Sequence, residues 1–147
     1  NHIKGGVAIY KHTNFGAVVQ SLTIENLSKE LTCEMAGIKV STTNRKHLYI
    51  LGVYRPPRAS VSDALTTLSI ALNKIPHNNG GICLVGDINI NSLDSSSREK
   101  IVFDDFLASY EISRLNLPPT RISSTSSTSI DVVCTNLDKT RLNVDIL

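Results

Sequence analysis

A short apolar run near the middle of the chain restricts the fold more than any other feature. The run, Ile82 to Val85, lies within G-G-I-C-L-V-G-D-I-N-I-N and ends at Gly86. It has the length of a buried strand and is too short for a typical helix. A strand with apolar residues on both faces belongs inside a layered structure, so this stretch predicts a central, buried strand.

Three polar residues follow this strand at alternate positions. They are Asp87, Asn89 and Asn91. Because side chains alternate along an extended chain, the three are predicted to share one face while Ile88 and Ile90 point into the protein. The alternative is an ordinary turn, since Asp and Asn suit turns and tolerate left-handed backbone. The pattern therefore indicates either a site that receives several polar groups or a plain strand exit.

The composition is that of an ordinary globular domain. Of the 147 residues, 41% are hydrophobic and 19% are charged, which fits one domain over residues 1–147 and excludes a disordered chain. The formal net charge of +2 is too small to predict nucleic-acid binding by itself. No apolar run has membrane-spanning length, and no signal peptide is recognisable. We therefore expect a nuclear or cytoplasmic protein that is not secreted and has no membrane contact.

Three cysteines, Cys33, Cys83 and Cys134, are widely spaced along the chain. Their odd number argues against a disulfide framework, and no two have the spacing of zinc ligands. They are predicted to be reduced, buried and apolar in character.

Hydrophobic periodicity predicts more strands than helices. Strands are predicted at 5–10, 17–22, 31–40, 47–54, 82–85 and 130–135, and helices at 61–75 and 98–110. Ser60 with Asp63 predicts a capping box for the first helix, and Ser96 with Glu99 predicts one for the second. Because the helices come singly between strands, the fold class is predicted to be α/β, with sheets packed face to face and helices outside.

An aspartate lies inside the last predicted strand, I-D-V-V-C-T. Asp131 would be costly to bury unless it were paired or bound a cation. If it faced the same point as Asp87 and Asn89, the cluster would be rich in oxygen, which suits Mg²⁺ completed by water and a phosphate. The alternative is a carboxylate hydrogen-bonded to the neighbouring Ser/Thr-rich loop, Ser123–Ser129.

Five short motifs, taken in order, resemble those of one known superfamily. They are G-G-V-A-I-Y (Gly5–Tyr10), L-G-V-Y-R-P-P (Leu51–Pro57), G-D-I-N-I-N (Gly86–Asn91), P-P-T-R-I (Pro118–Ile122) and S-I-D-V-V-C-T-N (Ser129–Asn136). Each motif alone is weak, but their order and spacing over nearly the whole chain resemble the endonuclease/exonuclease/phosphatase superfamily. Within it, the sequence is most similar to the apurinic-endonuclease-like domain of LINE-type (non-LTR) retrotransposon proteins.

The resemblance implies a four-layered α/β sandwich of the deoxyribonuclease I-like type. It implies hydrolysis of a DNA phosphodiester with Mg²⁺, or with Mn²⁺ in its place. Carried over residue by residue, Asp87 orients or activates the attacking water and is the nearest candidate metal ligand. Asn89 and Tyr54 reach the scissile phosphate, and Asp131 orients the catalytic histidine. The implied partners are DNA and, in a full-length protein, a reverse transcriptase domain and the element RNA.

Three further residues are candidates for DNA contact. Thr120 matches a position near the DNA in some members of the superfamily. Arg55 and Arg58, beside Tyr54, have the charge and the N–H donors to bind a DNA phosphate. Two arginines at the end of a strand are more often simply solvated, so that alternative stays open for both.

The sequence departs from the superfamily pattern at both ends and in one internal motif. The early Asn, the metal-binding Glu and the closing S-D-H with its catalytic His are not in the sequence, so we expect a partial domain that is inactive alone. Y-R-P-P replaces the Y-x-P-N of apurinic endonucleases, which favours a retroelement nickase over repair of abasic sites. Two alternatives remain: a phosphatase or lipid phosphodiesterase of the same superfamily, and a binding module that has kept the fold and lost the site.

Overall fold

A mixed sheet of six strands forms the centre of the computed structural model, which describes residues 6–42, 46–76, 80–138, 140 and 142–145. The strands are β1 (Val18–Ser21), β2 (Glu34–Ser41), β3 (His47–Tyr54), β4 (Gly80–Asp87), β5 (Ser113–Arg114), β6 (Arg121–Ile122), β7 (Ser127–Thr128) and β8 (Asp131–Thr135). Across the sheet the order is β1-β2-β3-β4-β8-β5, and β6 pairs with β7 in a separate hairpin. The predicted central strand, β4, thus lies between β3 and β8.

Strands β3 and β4 form the one parallel pair among the described strands. A parallel pair needs a crossover connection, which helix α1 (Val61–Asn73) supplies. Because the two strands run in the same direction, their carboxyl ends at Tyr54 and Asp87 reach the same edge of the sheet. This edge is called the site edge below.

Helix α1 is capped as the sequence predicts. The Ser60 side chain accepts a hydrogen bond from the Asp63 backbone N–H at 3.2 Å, which satisfies a donor that has no partner within the helix. The helix ends at Asn73, two residues earlier than predicted, with Lys74 as its C-cap.

Helix α2 (Arg98–Ala108) has a different cap from the predicted one. Its N-cap is Ser97, whose hydroxyl oxygen accepts from the Lys100 N–H at 3.4 Å. Ser96, the predicted cap, instead donates its hydroxyl to Asp94 Oδ1 at 2.7 Å. The prediction of Ser96 was wrong because neighbouring serines offer the same chemistry, and the backbone path decides which one faces the first turn.

Both helices pack on one face of the sheet. The core combines Leu51 and Leu84 from the sheet with Leu68 from α1 and with Phe103 and Leu107 from α2, each no more than 1% exposed. Alternate residues of β3, including Leu51, point to this face of the sheet. The residues between them, including Tyr54, therefore point to the opposite face. The helices therefore stabilise the strands from behind the site edge.

The opposite face of the sheet is crossed by the segment predicted as the first strand. Residues 6–10 have no strand structure, Tyr10 is 92% exposed, and Gly5 lies outside the described residues. A Cβ on Gly52 would lie 2.4 Å from Val7 Cγ1, so the segment passes directly over β3. The strand prediction was wrong because, in the part of the chain described, no strand lies beside residues 6–10 to receive their backbone hydrogen bonds.

Three smaller differences concern the start of β2 and the presence of β5 and of the β6–β7 hairpin. Strand β2 begins at Glu34 and not at Leu31, because Leu31 has φ +60° in a turn where the Lys29 N–H donates to the Cys33 carbonyl at 2.9 Å. Strand β5 and the β6–β7 hairpin were not predicted, since elements of two residues are too short to show a period.

The α/β fold class is confirmed, and the described residues supply one sheet and one helical layer of the implied sandwich. The cysteines are free thiols, buried at Cys33 and Cys134 and half-buried at Cys83. Burial raises the pKa of Cys33 to about 11 and that of Cys134 to about 12, as suits small apolar residues. Among the described residues, no helix combines the length and the apolar character needed to cross a membrane.

Candidate active site

Three of the predicted site residues form a row across the site edge. Tyr54 at the end of β3 is aligned with Asp87 at the end of β4, and Asp87 is aligned with Asp131 at the start of β8. All three are half-buried. Because Val53 and Val132 point into the helical core, the row lies on the other face of the sheet. The structure thus brings together residues that are far apart in the sequence, as the motif order predicted.

Gly86 allows β4 to lie against β3 immediately before the row. Its φ of +142° is a conformation that residues with a side chain rarely adopt. A Cβ at this position would lie 1.9 Å from the Val53 carbonyl oxygen. The glycine of the G-D-I-N motif is therefore required by the close approach of two backbones.

Asn89 belongs to a tight turn rather than to the strand. Its φ is +52°, and its backbone N–H donates to Asp87 Oδ1 at 2.8 Å. Its side-chain Nδ2 donates to the Arg55 carbonyl at 2.8 Å. A primary amide has two N–H donors, so one remains to reach a substrate oxygen. Asn89 therefore lies next to Asp87, although by turn geometry and not by strand alternation.

Asn91 is separate from this group. Its Oδ1 accepts from the Leu93 N–H at 3.2 Å and from the Ser129 N–H at 3.0 Å, which ties the turn to the start of β8. Ile88 and Ile90 are both 1% exposed, as predicted. The prediction that the three polar residues alternate along one strand is therefore wrong, because β4 ends at Asp87. The alternative of a turn describes Asn89 and Asn91.

Arg55 is buried, so both sequence-based interpretations of its side chain are corrected. It is 1% exposed, and its guanidinium donates from Nε to the Ile88 carbonyl at 2.7 Å and from Nη2 to the Asn89 carbonyl at 3.0 Å. Its Nη1 donates to the Ala59 carbonyl, and Nη2 lies 3.6 Å from Glu99 Oε2. A side chain held in this way is neither solvated nor turned towards a DNA phosphate.

Arg58, in contrast, is exposed on the loop that follows β3. Together with Leu31, Tyr54, Pro56, Pro57 and Ala59 it lines an open cleft of about 410 Å³. The cleft begins at the Tyr54 end of the row. Arg58 is thus exposed at a cleft that Tyr54 also lines.

Thr120 contacts the row through the backbone. Its Oγ1 accepts hydrogen bonds from the backbone N–H groups of Ile130 at 3.3 Å and Asp131 at 3.4 Å. Its own N–H donates to the Thr128 carbonyl at 3.0 Å, which joins it to the β6–β7 hairpin. The structure therefore places Thr120 as a support for the start of β8, next to Asp131.

Arg121 is a candidate that sequence reasoning missed. It is exposed on the β6–β7 hairpin, and its positive charge lies close enough to lower the pKa of Asp87. The signal was present in P-P-T-R-I, where Arg121 directly follows Thr120, but a single exposed arginine is usually solvated. Arg58 thus places positive charge near Tyr54, and Arg121 places it near Asp87.

The electrostatics of the row centre on Asp87. Burial raises the pKa of its carboxyl above the ordinary value of 3.8, and the Asp131 carboxylate opposite adds to this. The hydrogen bond from the Asn89 N–H and the positive charges of Arg121 and Arg55 lower the pKa of Asp87. Two carboxylates aligned on neighbouring strands repel each other, and a cation between them would relieve that repulsion.

The row contains carboxylates of the kind that could hold a hydrated magnesium ion. Mg²⁺ is commonly held by one or two carboxylates together with waters and substrate phosphate oxygens. Within the described ranges, no cluster of three or more His, Cys, Asp or Glu side chains is placed to hold a metal. Asp87 and Asp131 are two neighbouring carboxylates that the row could offer to such an ion.

Replacing Asp87 by asparagine should stabilise the fold at neutral pH. Because the pKa of Asp87 is raised on folding, the folded carboxyl holds its proton more tightly than the unfolded one, and ionisation costs stability as the pH rises through the raised pKa. We expect Asp87→Asn to raise Tm at pH 7 by a few degrees at most, since water screens a half-buried group.

This gain should vanish when the pH falls below about 3.8, where the carboxyl is protonated in both states. Thermal melting from pH 3 to pH 8 measures it, with Asp105→Asn on the exposed side of α2 as the matched control. An unchanged or lower Tm for Asp87→Asn at pH 7 would contradict this account of Asp87.

Comparison with solved structures identifies the fold. The chain is similar to the endonuclease domain of TRAS1, a telomere-specific non-LTR retrotransposon, with a TM-score of 0.66 and 14% identity over 83% of this chain and 55% of that one. An endonuclease/exonuclease/phosphatase family protein from Leptotrichia buccalis C-1013-b matches with a TM-score of 0.52 and 12% identity over 70% of this chain and 41% of that one. Humanized D. rerio TDP2 matches with a TM-score of 0.51 and 11% identity over 85% of this chain and 53% of that one.

These similarities confirm the deoxyribonuclease I-like fold of the endonuclease/exonuclease/phosphatase superfamily that the motifs indicated. The chain spans about half the length of these solved structures. No model of a known protein family matches the sequence, and no curated protein sequence matches it either. The comparisons with solved structures therefore establish the fold.

Proposed function

We propose that the site edge belongs to a metal-dependent endonuclease that hydrolyses a DNA phosphodiester, of the kind that nicks target DNA in non-LTR retrotransposition. The observation that carries this proposal is the row of Tyr54, Asp87 and Asp131, with Asn89 beside Asp87. A carboxylate can accept a proton from water, and an amide and a phenol can donate to a phosphoryl oxygen, so these groups suit phosphodiester hydrolysis. The likeness in fold to a retrotransposon endonuclease domain supports the choice of DNA.

Each residue has a role that follows from its chemistry. The Asp87 carboxylate can accept a proton from the attacking water, and its raised pKa brings it nearer to that task. The free N–H of Asn89 and the Tyr54 hydroxyl can donate to a phosphoryl oxygen as it gathers negative charge. Asp131 is placed to share a cation with Asp87 or to orient a neighbouring base. When bound there, Mg²⁺ would stabilise charge on the phosphate and on the leaving oxygen.

Substrate binding is proposed for two exposed arginines near the row. Arg58 borders the cleft at Tyr54, and Arg121 extends from the β6–β7 hairpin near Asp87. Arginine forms charge-assisted hydrogen bonds with phosphate oxygens, so one DNA strand could be held on both sides of the reacting phosphate. A reverse transcriptase domain and element RNA are the partners proposed for the full-length protein.

A metal titration tests the proposal directly. Thermal melting with increasing Mg²⁺ or Mn²⁺ at constant ionic strength should raise Tm of the unsubstituted chain, because a ligand that binds the folded state stabilises it by about 2.7 kcal/mol at a hundredfold excess over Kd. Asp87→Asn and Asp131→Asn should remove this rise, and Asp105→Asn should keep it. A rise of equal size in the Asp87→Asn variant would overturn the metal assignment.

A short DNA duplex then distinguishes the substrate class. We expect DNA to increase the metal-dependent rise in Tm and inositol phosphates to leave it unchanged, and the reverse result would favour a lipid or inositol phosphodiesterase.

Nicking of supercoiled DNA should be slow or absent in this chain, since its matched motifs include no catalytic histidine. Robust nicking that Asp87→Ala abolishes would overturn that expectation. DNA binding that responds neither to metal nor to Asp87→Asn would indicate a non-catalytic binding module.

A further inference from the structure

We propose that two arginines, Arg55 and Arg114, are positioning residues that fix the candidate site through backbone carbonyls. The inference rests on the proposed function, because it concerns the placement of Asp87, Asn89 and Asp131. Neither arginine faces the substrate side of the row. Their guanidinium groups instead hold the segment that follows β4 and the start of β8.

Arg55 holds the turn that contains Asn89. Its backbone N–H donates to the Asp87 carbonyl at 2.9 Å, and its own carbonyl accepts from Asn89 Nδ2 at 2.8 Å. Its guanidinium donates to the carbonyls of Ile88 and Asn89 at 2.7 and 3.0 Å. Four hydrogen bonds thus connect a single residue of the β3 end to three consecutive residues of the site.

Arg114 continues this pattern on the β8 side. Its Nη2 lies 3.2 Å from the Ile90 carbonyl, 3.2 Å from the Ser129 carbonyl and 3.4 Å from the Asp131 carbonyl. Its Cζ lies 5.8 Å from the centroid of the Phe103 ring, which supports the guanidinium from the core. Arg114 therefore connects the end of the Asp87 segment to the residue that carries the second carboxylate.

The two arginines together satisfy three consecutive carbonyls, those of Ile88, Ile90 and the Asn89 between them. Strand β4 ends at Asp87, so these groups lie beyond the reach of its ladder and would otherwise be buried without donors. Arginine suits this task because it presents several N–H donors in a rigid planar fork, whereas lysine is a flexible point donor. The left-handed turn at Asn89 is thus held from both sides.

A positioning role differs from general stabilisation in which amides exchange faster after the arginine is replaced. If the arginines only stabilised the fold, their replacement would speed hydrogen exchange equally at all amides that exchange by global unfolding. If they position the site, exchange should increase selectively at the Asn89 N–H, which donates to Asp87 Oδ1, and at the Ser92 N–H, which donates to the Ser129 carbonyl. Amides of the central strands, such as those of Leu51 and Leu84, serve as the internal reference.

The test compares Arg55→Lys and Arg114→Lys with Arg98→Met, which removes an exposed charge at the start of α2. For Arg55→Lys, exchange at Asn89 should increase at least about tenfold relative to Leu51 and Leu84, as expected when a buried hydrogen bond is lost. For Arg114→Lys, the same increase should occur at Ser92. Arg98→Met should change neither ratio.

Equal acceleration at all four amides, or unchanged exchange at Asn89 and Ser92, would overturn the proposal. If Arg55→Lys does not fold, Arg114→Lys decides the result through Ser92. These readings need no metal or DNA, so they are independent of the metal titration. With Mg²⁺ present, Arg55→Lys should require at least about tenfold more metal for the same rise in Tm. If the unsubstituted chain shows no rise, the proposed function fails and the exchange data still decide whether the arginines hold the segment.

Discussion

Replacing Gly86 by alanine is expected to destabilise the chain by at least about 3 kcal/mol, because two unfavourable effects add. A side chain at φ +142° carries a strain of about 1–3 kcal/mol. The added Cβ would also lie 1.9 Å from the Val53 carbonyl oxygen, which is backbone and cannot rotate away. Strand β4 must then move from β3, and each buried ladder group left unpaired costs about 1–3 kcal/mol. Urea unfolding, with the midpoint and slope compared, measures the change.

The matched control for this substitution is Gly16→Ala. No atom lies within 4 Å of a Cβ placed on Gly16, and its φ is not in the left-handed region. The control should therefore unfold at the same urea concentration as the unsubstituted chain, or at a slightly higher one. If Gly86→Ala matched it, the close approach of β3 and β4 beside Asp87 would be wrong.

Replacing Phe103 by alanine should have an effect of similar size through the core. Phe103 is fully buried on α2, and removing a buried phenylalanine ring commonly costs about 3–5 kcal/mol. That is a large part of the total stability of a domain, about 5–15 kcal/mol. Because the ring also supports the guanidinium of Arg114, the loss should extend to the hydrogen bonds that Arg114 makes with Ile90 and Ser129.

Two variants separate these effects. Val102→Ala, at an exposed neighbouring position of the same helix, should change stability by no more than about 0.5 kcal/mol. Phe103→Leu should restore much of the core volume but not the aromatic face beneath Arg114. A cost for Phe103→Ala as small as that for Val102→Ala would contradict the position of α2 on the sheet.

The sequence was sufficient to predict the elements with a strong local signal. These are the apolar spacing of α1, its Ser60 cap and the apolar run of β4. Each depends only on residues close together in the sequence, so each can be predicted without knowledge of the fold. That Tyr54, Asp87 and Asp131 share a site was implied by the resemblance of the motifs to those of the superfamily. The strand registers then supplied what the motifs alone did not, namely that the three residues are direct neighbours.

Arg55 shows why the remainder was not predictable. Two of its three carbonyl acceptors are 33 and 34 residues away in the sequence, so local patterns carry no sign that its side chain is buried. An arginine at a strand end beside two prolines is typical of a solvated surface. The first predicted strand failed for the opposite reason, since residues 6–10 have a strand-like sequence and yet no neighbour to pair with among the described strands.

The alternation of residues along β3, β4 and β8 has a consequence for how this protein can vary. Core residues such as Leu84 and site residues such as Asp87 occupy opposite faces of the same strands, so point substitutions can alter packing and chemistry separately. An insertion or deletion of one residue within these strands cannot alter packing and chemistry separately, because it moves the core residues and the site residues beyond it to the opposite faces at once. Length variation is therefore compatible with the loops and excluded from the strands, and the site edge can diverge in chemistry while its framework stays the same length.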